Sequence, residues 1–258
     1  MTADHATVGV PMLSVRGLSK RFGGVVAADA IDIDVDAGQT HAVIGPNGSG
    51  KTTLLRQIFG EIRPDTGTVH LGSRDLSEDP VPARVQAGLG RSYQITSVFE
   101  GFTAVENVSF GLRVTRGRAT SLAQPTTKDA EIGRAAGELL ARTGLADRQE
   151  VRAENLSNGE RRQLEIAIAL STTPRLLLLD EPLAGLGTAE SQTMIALIRS
   201  LKDEHTILMV EHDLDAVFSL ADRITILERG RVSASGDPAM VRTNPAMQAL
   251  YFGAGDAL

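Results

Sequence analysis

Gly45-Pro46-Asn47-Gly48-Ser49-Gly50-Lys51-Thr52-Thr53 fits the pattern G-x-x-x-x-G-K-[ST]. Glycines let the backbone curl close to a polyphosphate, so that several N–H groups can point inward. Lys51 supplies a point charge that reaches the β- and γ-phosphates, and the hydroxyl of Thr52 suits Mg²⁺. Downstream, Leu54, Leu55 and Ile58 recur at helical spacing, so the loop opens a helix whose N-terminus favours an anion. Upstream, Thr40-His41-Ala42-Val43-Ile44 reads as a strand. Strand, loop and helix is the context that the motif demands, and a chance glycine-rich turn lacks it.

Around this centre the composition sets bounds. The 258 residues suit one large domain, or a core with a small subdomain, and 42% hydrophobic content is ample for packing. No apolar run approaches the roughly 20 residues that span a bilayer. The N-terminus shows no basic segment followed by an apolar stretch, so no signal peptide is expected. The absence of cysteine removes disulfides, thiolate metal sites and cysteine nucleophiles, and is compatible with a reducing cytosol. Net charge is −6 with acids and bases interspersed, and aromatics are only 3% with no Trp. A basic stripe and base-stacking platforms are therefore both missing, and nucleic acid is not an expected partner.

Taken in order, Leu13–Arg16 can form a strand and Phe22-Gly23-Gly24 a turn. Ala30–Asp36 alternates apolar and acidic residues with period two, the mark of a half-buried antiparallel strand. Thr68–Leu71 is another short strand. Residues 74–92 carry turns and a short helical stretch. Val105, Val108 and Leu112 share a helical face, 115–128 reads as a polar loop, and Ala130–Thr143 as a second helix, so this block is a helical insert. Leu164, Ile168 and Ala169 face inward from a helix that Pro174 stops. Arg175–Asp180 is apolar on both faces, as a central parallel strand covered by helices must be. Helix Glu190–Leu201, strand Thr206–Val210, helix Leu214–Leu220 and strand Arg223–Leu227 then alternate as α/β proteins do. Residues 237–252 carry two short terminal helices.

Two carboxylates close the apolar strand. Asp180 can hold the Mg²⁺ shell, and Glu181, one residue further out, can polarise an attacking water. Leu156-Ser157-Asn158-Gly159-Glu160 resembles the signature motif of the ABC ATPases, usually L-S-G-G-Q; it departs at Asn158 and Glu160 and keeps Ser157 and Gly159. Ser157 and Glu160 also have the spacing of a capping box. The resemblance implies further roles. Gln94 resembles the Q-loop glutamine that senses Mg²⁺ and γ-phosphate, His212 the switch histidine, and Phe22 the aromatic that stacks on adenine. Ala184-Gly185-Leu186-Gly187 occupies the D-loop, where many relatives end in Asp; Gly187 cannot make that side-chain contact.

The resemblance runs from about Leu13 to Gly253. Phe22–Val25, Arg91–Gln94, Gly159–Ala167, Ala184–Leu186 and the tail from Asn244 to Gly253 are similar to the importers of branched-chain amino acids. The lipopolysaccharide-export ATPase has a similar Gly-Glu-Arg-Arg stretch, and urea importers share the tail pattern. The implied fold is α/β: a P-loop (RecA-like) ATPase core with an antiparallel β subdomain and a helical insert subdomain. It forms a single ABC ATPase domain over 12–253, with core and β subdomain at 12–93 and 156–253 and the insert at 94–155. The implied activity is ATP hydrolysis with Mg²⁺, driving import through separate membrane subunits. Gly45 to Thr53, with Phe22, Ser157, Asn158 and Gly159, would bind the nucleotide; Lys51, Glu181, His212 and Gln94 would serve catalysis; Thr52, Gln94 and Asp180 would hold the metal. Implied partners are a second ATPase subunit (a copy or a paralogue), integral permease subunits and, indirectly, a solute-binding protein, with the chain at the cytoplasmic face of the inner membrane. A urea or amide importer, a lipopolysaccharide exporter, a soluble non-transport ABC ATPase and a subunit that binds without hydrolysing are the alternatives.

Overall fold

The computed structural model describes residues 10–92, 98–115 and 127–244, without the side chains of 127–129. Gln94 and the tail beyond Asn244 lie outside the described residues. Strands β1 (Leu13–Phe22) and β2 (Val25–Val35) pair antiparallel, joined by a turn at Gly23-Gly24. The alternation in β2 does what period two requires: Ile31, Ile33 and Val35 are buried while Asp32 and Asp34 face out. β1 is longer than its sequence pattern indicates. Its register shifts between Val15 and Leu18, around Gly17 at φ +57°, so the alternation breaks there while the strand continues. With β4 (Thr66–Leu71) and β5 (Arg74–Asp75) these strands form a sheet of order β2-β1-β4-β5.

The second sheet contains β3 (Thr40–Ile44), β6 (Leu89–Ser92), β7 (Leu176–Asp180), β8 (Thr206–Val210), β9 (Arg223–Glu228) and β10 (Arg231–Gly236), in the order β10-β9-β3-β8-β7-β6. β10 is antiparallel to β9, and the other pairs are parallel. The strand β6 corrects the reading of 74–92 as turns and helix. Leu89-Gly90-Arg91-Ser92 has no strand-like composition, yet all four residues are buried beside β7. Gly90 fits because a Cβ there would meet the Pro174 ring at 2.8 Å.

Helices α1 (Lys51–Phe59), α2 (Val81–Gln86), α3 (Ala104–Thr115), α4 (Thr127–Arg142), α5 (Asn158–Leu170), α6 (Thr188–Leu201), α7 (Leu214–Leu220) and α8 (Pro238–Arg242), with 3-10 turns at Ala146–Arg148 and Ala153–Asn155, complete the described elements. Successive residues of β7 serve opposite cores. Leu177 and Leu179 pack with α5, α6 and α7, whereas Leu176 and Leu178 pack with α1 and the first sheet. A third cluster joins Val108 and Leu112 of α3, Ile132, Ala136 and Leu140 of α4, and Leu164 and Ala167 of α5. The core of the helical block is thus completed by α5, which follows it in sequence.

One buried polar residue gives the sheet a pH response. His41 on β3 is 1% exposed, and its Nε2 lies 2.7 Å from the Thr225 hydroxyl on β9. Burial lowers its pKa to about 4, and Arg223 adds to the effect. The unfolded chain takes up a proton near 6.5, so between 6.5 and about 4 it binds more protons than the folded chain, and stability falls as pH falls. The loss is about 2 kcal/mol by pH 5 and about 3 kcal/mol in full. His41→Gln is expected to melt with a smaller drop in Tm between about pH 7 and about pH 5 than wild type. Equal drops would contradict this assignment.

Candidate functional site

β3 delivers the chain to Gly45, beside the end of β9. A Cβ on Gly45 would lie 2.0 Å from the Leu227 carbonyl oxygen, and one on Gly50 2.1 Å from that of Ala27. Both residues have positive φ, +153° and +104°. Neighbouring backbone therefore demands these two glycines before any ligand does. The turn between β9 and β10 braces the loop, with Gly230 N–H donating to the Ser49 carbonyl at 2.9 Å.

Gly50 caps α1 without a side-chain hydrogen bond, and the first turn holds no acid. Its N–H groups are left for an acceptor from outside the helix, and the helix dipole favours an anion there. Lys51 is 5% exposed and turns back, donating to the carbonyls of Gly45 at 2.8 Å and Pro46 at 3.1 Å. Burial lowers its pKa, while Glu181 and Asp180 pull it upward. A cleft of about 210 Å³ is lined by Asn47, Gly48, Gly50, Lys51, Thr52 and Thr53 of the loop, by Glu181, and by Val25 and Ala27 of β2.

Asp180 ends β7 and is 1% exposed. Its Oδ2 accepts from Arg91 Nη2 at 2.9 Å, and Arg91 Nη1 donates to Glu61 Oε2 at 2.8 Å. Burial raises the Asp180 pKa, and Arg91 offsets part of that rise. The other oxygen, Oδ1, is buried with no hydrogen-bond partner, a costly state in a dry interior and one that a cation's shell would relieve. Glu181 follows at φ +48°, in the left-handed region, and its N–H donates to the Val210 carbonyl at 2.9 Å. His212 leaves the end of β8 with its side chain 59% exposed.

The Ser157 motif opens α5 elsewhere. Ser157 Oγ accepts from Glu160 N at 3.2 Å, and Glu160 Oε2 accepts from Ser157 N at 2.9 Å, a complete capping box. Glu190 of α6 adds a second carboxylate: its Oε1 accepts from Ser157 Oγ at 3.3 Å and Gly159 N at 3.2 Å, and its Oε2 from Gly187 N at 3.3 Å. A Cβ on Gly159 would sit 2.9 Å from Glu190 Oε1, so a larger residue at 159 would displace the Glu190 side chain from this contact. Asn158 Nδ2 donates to the Gly185 carbonyl at 3.3 Å. This hollow, about 130 Å³, shares no lining residue with the loop cleft.

The structure thus gathers Asn47, Gly48, Gly50, Lys51, Thr52, Thr53 and Glu181 around one cleft, with Gly45, Pro46 and Ser49 behind them. Phe22 lies at the end of β1, 48% exposed, with the Lys20 ammonium 5.7 Å from its ring centre, and does not line the cleft. Neither do His212, Ser157, Asn158 or Gly159. Sequence reasoning passed over Arg91 and Glu190, because each meets its partner, Asp180 or the Ser157 segment, across a long stretch of chain.

The model of a family described as ABC transporter matches residues 28–184. The high-affinity branched-chain amino acid transport ATP-binding protein LivG of Escherichia coli (strain K12) is 34% identical over 252 residues, covering 94% of this chain and 98% of LivG. The sulfate/thiosulfate import ATP-binding protein CysA of Mycobacterium bovis is 37% identical over 234 residues, covering 90% of this chain but 63% of CysA. Among solved structures, the ADP conformation of MJ1267, an ATP-binding cassette of an ABC transporter, superposes with a TM-score of 0.84 at 28% identity, covering 94% of this chain and 99% of that one. The chain belongs to the ABC transporter family and is one of its ATP-binding, ATP-hydrolysing subunits.

Proposed function

We propose that this chain hydrolyses Mg²⁺-ATP to energise import of branched-chain or related amino acids through separate membrane subunits. The observation that carries the reading is the meeting of the uncapped α1 N-terminus, Lys51 and Glu181 in one cleft. Loop N–H groups and Lys51 hold the phosphates, with Lys51 exchanging its two carbonyl partners for phosphate oxygens. Thr52 and the unpartnered Asp180 Oδ1 are the oxygens that would hold Mg²⁺, with Gln94 nearby in the family pattern; the ion supplies charge neutralisation. Glu181 orients the attacking water and takes its proton, His212 and Gln94 complete the site, and Phe22 stacks on adenine.

The separation of the Ser157 hollow from the loop cleft supports a head-to-tail dimer. In a two-fold pair, Ser157, Asn158 and Gly159 of one subunit cover the loop of the other. The partner is a second copy or a paralogue. Residues 94–155 form the helical insert on the core of 12–93 and 156–253.

Among the described residues no helix is long and apolar enough to cross a membrane. The dock for a permease subunit is the apolar groove of about 410 Å³ between α2 and α3, where Val81, Val85, Phe99, Phe110, Val114 and Ile168 converge. Phe99 and Phe102 are 46% and 41% exposed, and such a patch on this fold suits an apolar helix of the permease. The chain then sits peripherally at the cytoplasmic face of the inner membrane, and a solute-binding protein meets the permease, not this subunit. The cargo assignment follows LivG over CysA because the LivG match spans nearly all of both chains, whereas CysA extends well beyond its match.

Lys51→Ala is expected to lower ATP turnover by about 10²-fold or more while the melting temperature stays near wild type. Turnover near wild type in the folded variant contradicts the loop assignment. In vesicles reconstituted with the permease, Phe99→Asp is expected to abolish uptake of labelled leucine, isoleucine or valine and to leave basal hydrolysis intact. Unchanged uptake places the dock elsewhere, and wild-type vesicles that move only urea, or an outer-membrane defect on gene deletion, overturn the amino-acid cargo.

A further inference from the structure

Glu211, the residue before His212, is 1% exposed, and its carboxylate is met by backbone instead of a cation. Oε1 accepts from Leu183 N at 2.8 Å; Oε2 accepts from His212 N at 3.0 Å and Asp213 N at 3.5 Å. The nearest ring nitrogen, His212 Nδ1, stands 3.9 Å from Oε2. Burial raises the Glu211 pKa, and the three N–H donors offset part of that rise. An acid held this way is expensive, and helix capping does not explain it: α7 already has its cap in Asp213, whose Oδ1 accepts from Ala216 N at 3.1 Å.

The two oxygens reach two different segments. Oε1 holds the turn that follows Glu181, and Oε2 holds the backbone of His212. Glu181 itself has φ +48°, a conformation that persists in a non-glycine residue only where its surroundings over-determine it. The restraints are visible on both sides. Glu181 N–H is tied back to Val210 at 2.9 Å, the Glu181 carbonyl accepts from Ala184 N at 3.0 Å, and Glu211 fixes Leu183 between them. We propose that Glu211 is a positioning residue that clamps the post-Glu181 turn to the His212 backbone, so that base and histidine keep one geometry relative to the phosphate cleft. This rests on the ATPase reading of the site.

Purified Glu211→Gln tests it. An amide can accept through one oxygen, but its NH₂ faces N–H donors at the other position, so one arm of the clamp is lost. Turnover at saturating ATP is expected to fall on the order of 10²-fold, because a misplacement of about 1 Å costs that much, while the Kd for ATP stays within about twofold. Glu211→Asp, with its carboxylate one methylene short, is expected to show the same split and stands in if the Gln variant does not fold. Turnover within twofold of wild type, or turnover and affinity falling in parallel, overturns the clamp. Wild-type protein that neither binds nor hydrolyses ATP instead refutes the underlying reading.

Discussion

Val43 on β3, Val210 on β8 and Asp180 on β7 lie in one row across the parallel sheet. The ladder runs one residue further, with Glu211 N–H donating to the Val43 carbonyl at 3.4 Å and Glu181 N–H to the Val210 carbonyl at 2.9 Å. Parallel pairing makes the three strands leave the sheet at the same edge. The phosphate loop, the carboxylate pair and the histidine segment are therefore neighbours because of register, although long stretches of chain separate them. A one-residue slip of β7 would carry Arg175 or Asp180 into the positions that Leu176 to Leu179 fill, so the charged residues flanking this apolar run hold the row in register.

Charge is spent at that edge in a way that packing alone would not favour. Lys51, Asp180, Arg91 and Glu211 are all buried. Replacing a buried ion pair with apolar residues is often neutral or stabilising, so packing alone gives no account of the Arg91–Asp180 pair. Asp180 is held through one oxygen by Arg91, whose other arm reaches Glu61 just past α1, which links the strand before Gln94 to both halves of the site. The Ser157 segment shows the same economy: Glu190 joins the N-termini of α5 and α6, the two segments that face the partner subunit in the proposed dimer.

Much of this was legible in the residues themselves. The loop glycines, the period-two alternation of β2 and the apolar run of β7 each carry their structure locally. β6 did not, because Leu89-Gly90-Arg91-Ser92 is strand through its parallel pairing with β7, a partner distant in sequence. The glycines were legible for an incomplete reason. Gly45 and Gly50 yield first to the carbonyls of Leu227 and Ala27. Phe22 keeps its place by resemblance, since the cleft wall beside the loop is Val25 and Ala27. Side-chain contacts of this kind leave no periodicity to read.

In the proposed dimer the loop of one chain and the Ser157 segment of the other act on one nucleotide, which neither chain grips alone. Light scattering of Glu181→Gln with saturating ATP, alone and mixed with its paralogous partner, tests this most directly. A doubling of mass is expected, which Ser157→Arg in the same background abolishes without loss of ATP binding. A variant that binds ATP and remains monomeric in both settings would contradict it.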